Sequence, residues 1–147
     1  MKTVLVHSSY DKGTGLSYVK VRNKYGEFEA TAQLHDEDKE YESTFFGCQV
    51  AETKCTIKTI KHKISTIDTH IKALENFEKT LKNLKEYNPK SIECCKLRKQ
   101  IYLLKTEKQN LLHLIENIKA GIKRSEENRK ATLAHLKEVK FILDESH

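Results

Sequence analysis

Arginine and aromatic residues near the start of the last long segment could together hold a phosphorylated ligand. Arg98 and Tyr102 are four residues apart, which is one turn of a helix, and Tyr87 and Asn88 precede them. A guanidinium forms strong charge-assisted hydrogen bonds with phosphate oxygens, and a neighbouring ring can stack on a base or ribose. We therefore predict ligand-binding residues here, with Phe77 as a further ring.

A second polar group interrupts an otherwise apolar helical pattern. Arg124, Asn128 and Arg129 lie in this interruption, and Arg129 occupies an expected core position. A buried guanidinium needs an anionic partner or contact with water. These three residues are therefore also predicted to bind the ligand, and Arg22 with Lys24 in the N-terminal region form a second possible site.

Motifs for catalysis or metal binding are not recognisable in the sequence. It has no dinucleotide or phosphate-binding glycine loop, no paired zinc histidines and no serine elbow. The cysteines Cys48, Cys55, Cys94 and Cys95 form no Cys-x-x-Cys pair, and we expect them to be reduced thiols. We expect no enzymatic activity, no cofactor and no metal.

Composition and charge favour an elongated helical protein that attracts anions. The 147 residues are 33% charged and only 7% aromatic, with a net charge of +6. Glutamates interrupt the lysine positions at nearly every turn, so a continuous basic stripe for nucleic acid is not expected. Because no run of 18 apolar residues occurs, we expect no membrane association and a cytoplasmic location.

Residues 1–45 are predicted to form a small antiparallel β-sheet. Short β-branched and aromatic runs alternate with turn residues, and the segment Ser17–Leu34 is typical of a β-hairpin. Residues 2–8 are predicted to add a third strand, and residues 35–40 form an acidic connector. So small a sheet must lie against a helix or another subunit.

Residues 46–147 are predicted to form a long antiparallel helical hairpin, or coiled coil. Isoleucine and leucine recur at steps of four and three from Phe46 to Leu81, and again from Leu97 onwards. Pro89 separates the two helices and suits the first turn of the second. The fold class is therefore α+β, with Ser43 or Thr44 as the helix cap.

Apolar residues beside the helical seam predict self-association. Leu103, Leu112 and Leu114 lie next to the seam rather than within it. A symmetric homodimer through the helices, or a multiple of such dimers, would cover them. We therefore expect a homo-oligomer.

The sequence resembles a group of small proteins from phages of low-GC Gram-positive bacteria. The resemblance depends on residues 18–30 (YVKVRNKYGEFEA), residues 45–52 (FFGCQVAE) and the two lysine-rich helical segments. Within that group it is similar to the anti-Thoeris sponge family, whose members join an N-terminal antiparallel sheet to long dimerising helices. The resemblance implies sequestration, without cleavage, of cyclic ADP-ribose-type immune signals and in some members of cyclic oligonucleotides.

A different class of function also fits the sequence. A helical interaction protein could block a host protein directly through its hairpin, with no small ligand. The residues alone leave this alternative open.

Overall fold

The computed structural model describes residues 2–34 and 43–145, with side chains to residue 139. Strands β1 (Val4–Asp11), β2 (Leu16–Asn23) and β3 (Gly26–Gln33) precede helices α1 (Thr44–Lys82) and α2 (Ile92–Glu145). The predicted α+β class, a small antiparallel sheet followed by two long helices, is confirmed. The acidic connector at residues 35–40 lies outside the described residues.

The chain forms two compact units. We call residues 1–58 with 116–147 the sheet unit, and residues 59–115 the hairpin unit. The sheet unit contains the three strands, the first turns of α1 and the second half of α2. The hairpin unit contains the remainder of both helices and the loop that joins them.

The sheet is an antiparallel meander in the order β1-β2-β3. One face carries buried side chains of β2 and β3 that pack against two buried residues of α1, as the predicted alternation requires. The cluster comprises Val19, Val21, Ala30, Ala32, Ala51 and Cys55. The opposite face is polar. There Tyr18 donates to Glu29 at 2.6 Å, and Lys20 and Arg22 pair with Glu27. These cross-strand pairs fix the register of β2 against β3.

Strand β1 begins and ends two to three residues later than predicted. It spans Val4–Asp11 rather than residues 2–8, and it pairs with β2 along its whole length. The register shifts between Leu5 and His7, so that Val6 is an extra residue in β1. This β-bulge reverses the alternation of side chains along the strand.

The apolar seam of the hairpin unit is confirmed. Its buried residues come from both helices: Ile60, Ile64, Ile67, Ile71, Leu97, Ile101 and Ile115. Ion pairs flank the seam and join α1 to α2, for example Asp68 with Lys108 at 2.7 Å and Lys63 with Glu107 at 3.4 Å. Apolar burial between the helices therefore supplies most of the stability here, because exposed ion pairs contribute little.

Serine caps define where both helices begin. Ser43 Oγ accepts a hydrogen bond from the Phe46 amide at 3.2 Å, which confirms one of the two predicted caps. Helix α2 begins at Ile92 because Ser91 Oγ caps the Cys94 amide at 3.3 Å. The expectation that Pro89 lies in the first turn of α2 is therefore wrong.

Helix α1 ends at Lys82, although the sequence places the separation of the two helices at Pro89. Residues 83–86 form turns and a bend instead, and the Tyr87 amide donates to the Leu84 carbonyl at 3.2 Å. At 1.5 Å per residue, α1 is about 58 Å long and α2 about 81 Å. No helix among the described residues is apolar enough over its length to cross a membrane.

Candidate ligand-binding site

A cleft of about 260 Å³ in the sheet unit is the best candidate for a binding site. All three strands and both helices contribute to its wall. The residues with polar, charged or aromatic groups in the lining are Tyr10, Ser17, Gln33, Ser43, Phe46, Lys54, Glu126, Arg129 and Lys130. Apolar side chains such as Val50, Ile122 and Leu34 complete it.

The beginning of α1 approaches the sheet closely at this cleft. A Cβ built on Gly47 would overlap Ser17 Oγ, and Ser17 is only 2% exposed. Opposite this contact, Gly15 has a φ of +72°, and a Cβ there would lie 2.8 Å from Leu34 Cβ. Glycine is therefore required at both positions for the cleft to have this shape.

Arg129 and Phe46 form the central feature of the cleft. The guanidinium carbon of Arg129 lies 5.0 Å from the centroid of the Phe46 ring, within the range of a cation–π contact. Both side chains are half-buried. Since the Phe46 face supplies no hydrogen-bond acceptor, the guanidinium N–H groups stay available for acceptors on a ligand.

Two lysines and one glutamate complete the charge of the cleft. Lys54 Nζ donates to the Thr31 carbonyl at 3.0 Å, and Lys130 pairs with Glu126 at 3.5 Å. Four side chains of the lining are charged at neutral pH: Lys54, Arg129 and Lys130 are positive, and Glu126 is negative. The cleft therefore favours an anion.

Neutral groups in the lining could add hydrogen bonds to such an anion. The Gln33 side-chain amide is not one of these groups, because its N–H groups already donate to the carbonyls of Thr14 and Leu34. Tyr10 and Ser17 carry hydroxyl groups that both donate and accept. A rigid mixture of cations, hydroxyls and the rings of Phe46 and Tyr10 is suited to binding a phosphorylated ring compound.

Of the residues predicted in the polar interruption of α2, one lines the cleft. Arg129 does, whereas Arg124 and Asn128 are exposed and do not belong to the lining. In the alternative sheet site, Arg22 donates to Glu27 through Nε and Nη2, and Lys24 Nζ lies 5.1 Å from the Tyr25 ring.

The salt links of Glu27 affect its protonation. Hydrogen bonds from Arg22 and Lys20 lower the pKa of the Glu27 carboxyl below its ordinary value. Glu27 is therefore an anion at neutral pH and forms an ion pair with the guanidinium of Arg22. Arg22 therefore already has an anionic partner on the polar face of the sheet.

The predicted residues of the hairpin unit mainly support its loop. Arg98 donates to the Pro89 carbonyl at 2.6 Å and to Cys95 Sγ at 3.4 Å. Asn88 Oδ1 accepts the Lys90 amide at 3.0 Å. These bonds explain the polar residues at the loop in structural terms, since they satisfy main-chain groups between the helices.

The aromatic residues predicted in the same unit differ in exposure. Tyr102 is 68% exposed and Phe77 is 55% exposed, while Tyr87 is half-buried. None of the three lines the cleft of the sheet unit, which is built from other described residues.

Sequence reasoning missed Phe46 and Lys54 as site residues. The sequence predicts Phe46 only as the first residue of the helical seam, and no site residue is predicted at Lys54. The available signal was the pair Phe46-Gly47 at a helix start, because glycine beside an aromatic residue there permits close contact with another element.

Groups for metal chemistry are not assembled in the part of the chain that the structure describes. No cluster of three or more His, Cys, Asp or Glu side chains occurs there. The four cysteines are free thiols, with Cys55 and Cys94 buried, Cys48 half-buried and Cys95 exposed. The chemistry of the cleft is therefore that of its cations, hydroxyls and ring.

No protein-family model, curated protein or solved structure matches this chain, so its relationship to known proteins depends on the residues and geometry described above.

Proposed function

We propose that this chain is a phage anti-defence protein that binds and sequesters a small anionic nucleotide signal without cleaving it. The signal would be a cyclic ADP-ribose isomer or a cyclic oligonucleotide, captured in the cytoplasm of the infected cell. The observation that carries the proposal is Arg129 stacked on Phe46 at 5.0 Å inside a cation-rich cleft.

The chemistry of the cleft supports a phosphorylated ring as the ligand. Phosphate oxygens accept charge-assisted hydrogen bonds from Arg129, Lys54 and Lys130. Phe46 and the apolar side chains beside it offer surface for a purine or ribose. Because Gly47 and Ser17 pack closely, little ordering entropy is lost when a ligand binds.

The size of the cleft limits how the ligand would bind. Its volume of about 260 Å³ is slightly below the roughly 300–1,000 Å³ of usual small-molecule sites. It therefore suits one phosphate with the neighbouring ring. The remainder of a cyclic dinucleotide would extend out of the cleft.

The test is binding of defined nucleotides to the wild type and to Arg129→Glu, measured by isothermal titration calorimetry. Charge reversal at Arg129 should weaken binding at least tenfold, or about 1.4 kcal/mol. Arg124→Glu is the matched control, because Arg124 is exposed on the same helix, outside the cleft lining. It should bind as the wild type does.

Recovery of the ligand after denaturation distinguishes sequestration from turnover. Intact nucleotide is expected, whereas hydrolysed product would make the protein an enzyme. If Arg129→Glu and the wild type bind every nucleotide with equal affinity, the cleft is not the binding site.

Direct blocking of a host protein is the second candidate, favoured by the exposed rings of Phe77 and Tyr102 in the hairpin unit. Large exposed aromatic side chains are common where proteins bind one another. Under this candidate, Tyr102→Ala would abolish the anti-defence effect in cells, while Arg129→Glu would leave it unchanged.

A further inference from the structure

The two edges of the sheet are treated differently by the rest of the chain. Along β3, the ammonium group of Lys58 donates a hydrogen bond to the Glu29 carbonyl, and that of Lys54 donates one to the Thr31 carbonyl. Positive side chains lying on the edge of a sheet discourage another strand from pairing there. The β3 edge is therefore occupied by lysines of α1.

The β1 edge has no strand on its outer side among the described residues. It also carries three consecutive apolar side chains that are strongly exposed: Val4 at 51%, Leu5 at 53% and Val6 at 42%. Such an edge is a template for pairing with another chain. We propose that β1 pairs antiparallel with β1 of a second copy, giving a continuous six-stranded sheet.

Side-chain alternation selects one register for this pairing. Leu5 pairs with Val21 and Ser8 with Val19, so the bulge leaves Leu5 and Ser8 on the same side, which faces α1. Residues opposite each other in an antiparallel pair must share a face. A two-fold axis between Val6 and His7 meets this condition, because it pairs Leu5 with Ser8 of the second copy.

Charge complementarity supports the same register. The axis between Val6 and His7 sets Lys2 opposite Asp11 of the second copy, and this ion pair occurs twice by symmetry. The Asp11 carboxylate is held at the strand end because it accepts the Gly13 amide at 2.8 Å. Opposite charges across a strand pair are stabilising, and like charges are destabilising.

Concentration-dependent hydrogen exchange tests the proposal directly. The amides of residues 4–11 should exchange faster as the wild-type protein is diluted, while those of β3 should exchange at an unchanged rate. Exchange in residues 4–11 that does not depend on protein concentration would overturn the proposal, whether fast or slow.

Variants provide a second measurement by light scattering. Leu5→Lys should halve the mass of the assembly, because it adds a charge to an edge that must pair with itself. Thr31→Lys is the matched control: it adds the same charge to an exposed position on the β3 edge, and its mass should equal that of the wild type. An unchanged mass for Leu5→Lys would show that other surfaces alone hold the copies together.

A charge swap tests the register. Lys2→Asp should weaken association about threefold through a like-charge contact with Asp11. The double variant Lys2→Asp with Asp11→Lys should restore the wild-type affinity. Failure of the second substitution to restore association would exclude the axis between Val6 and His7.

Discussion

Cys55 lies in α1 where this helix covers the sheet, and it is fully buried. Its thiol donates to the Val19 carbonyl at an S···O distance of 3.5 Å and lies 3.7 Å from the Phe28 carbonyl. Burial raises the pKa of the Cys55 thiol above its ordinary value of 9.0. The neutral thiol is therefore strongly favoured at physiological pH.

We predict that Cys55 reacts with iodoacetamide more slowly than Cys95. Cys95 is exposed and should be alkylated first, with a rate difference on the order of a hundredfold. Peptide mass spectrometry over a time course measures both rates. In denaturant the two rates should become similar, and equal rates in the native protein would contradict the burial of Cys55.

The direction of this pKa shift also fixes a pH dependence. Because the folded-state pKa of Cys55 is raised, its contribution to stability is complete below the unfolded value and is lost as pH rises through the folded value. The loss therefore occurs at alkaline pH, beginning near 9.

Single residues explain why the site could be predicted only in part. Arg129 was recognisable because a charged residue replaced an expected apolar one in a periodic pattern. Arg98 also lies near aromatic and polar residues in the sequence. Its guanidinium nevertheless donates a hydrogen bond to the Pro89 carbonyl. Sequence spacing identifies an unusual arginine but does not distinguish a loop-stabilising role from a binding role, because that depends on the partner in space.

Elements were more predictable than the site. The hairpin of β2 and β3 and the seam of α1 follow from local alternation and periodicity, which need no knowledge of distant residues. The β-bulge near Val6 and the early end of α1 at Lys82 are local irregularities of the backbone. Apolar periodicity does not encode either feature, since it reports only which face is buried.

At the scale of elements, two glycines within helices give a matched pair of predictions. Gly47→Ala should destabilise the protein by about 1–3 kcal/mol, because its Cβ would overlap Ser17 Oγ. Gly121→Ala should instead be stabilising by up to about 1 kcal/mol, since no atom lies within 4 Å of its added Cβ. Urea unfolding measures both.

The same contact can be tested by a double-mutant cycle. Ser17→Ala removes the overlapping oxygen and leaves its Cβ 3.4 Å from the new methyl group at position 47. Ser17→Ala combined with Gly47→Ala should therefore be less destabilised than the sum of the single variants. If the effects of the two substitutions on the free energy of unfolding simply add, the cost of Gly47→Ala does not come from the contact with Ser17.

Several large apolar side chains among the described residues are exposed. In the hairpin unit Leu103 is 54% exposed and Leu114 is 43% exposed, and their spacing of eleven residues sets them near one side of α2. Association through the helices remains a prediction from these residues. It would add to pairing through β1, because the two surfaces belong to different elements.

Ile64→Asp tests the seam and the assembly together. Ile64 is 8% exposed, so the substitution buries an unpaired carboxylate and should cost roughly 3 kcal/mol or more. We expect dissociation or unfolding by light scattering and circular dichroism. Ser65→Asp, at an exposed neighbouring position, is the control and should change neither signal. A monomeric wild type would contradict the expected homo-oligomer.

The walls of the cleft come from distant parts of the chain, and this has a consequence for synthesis. The strands and the first turns of α1 leave the ribosome early, whereas Ile122 and Arg129 follow only after the whole loop between the helices. A nascent chain that ends before Ile122 already contains every residue of the sheet cluster around Val19. It lacks one wall of the cleft, so folding of the sheet can precede formation of the complete cleft.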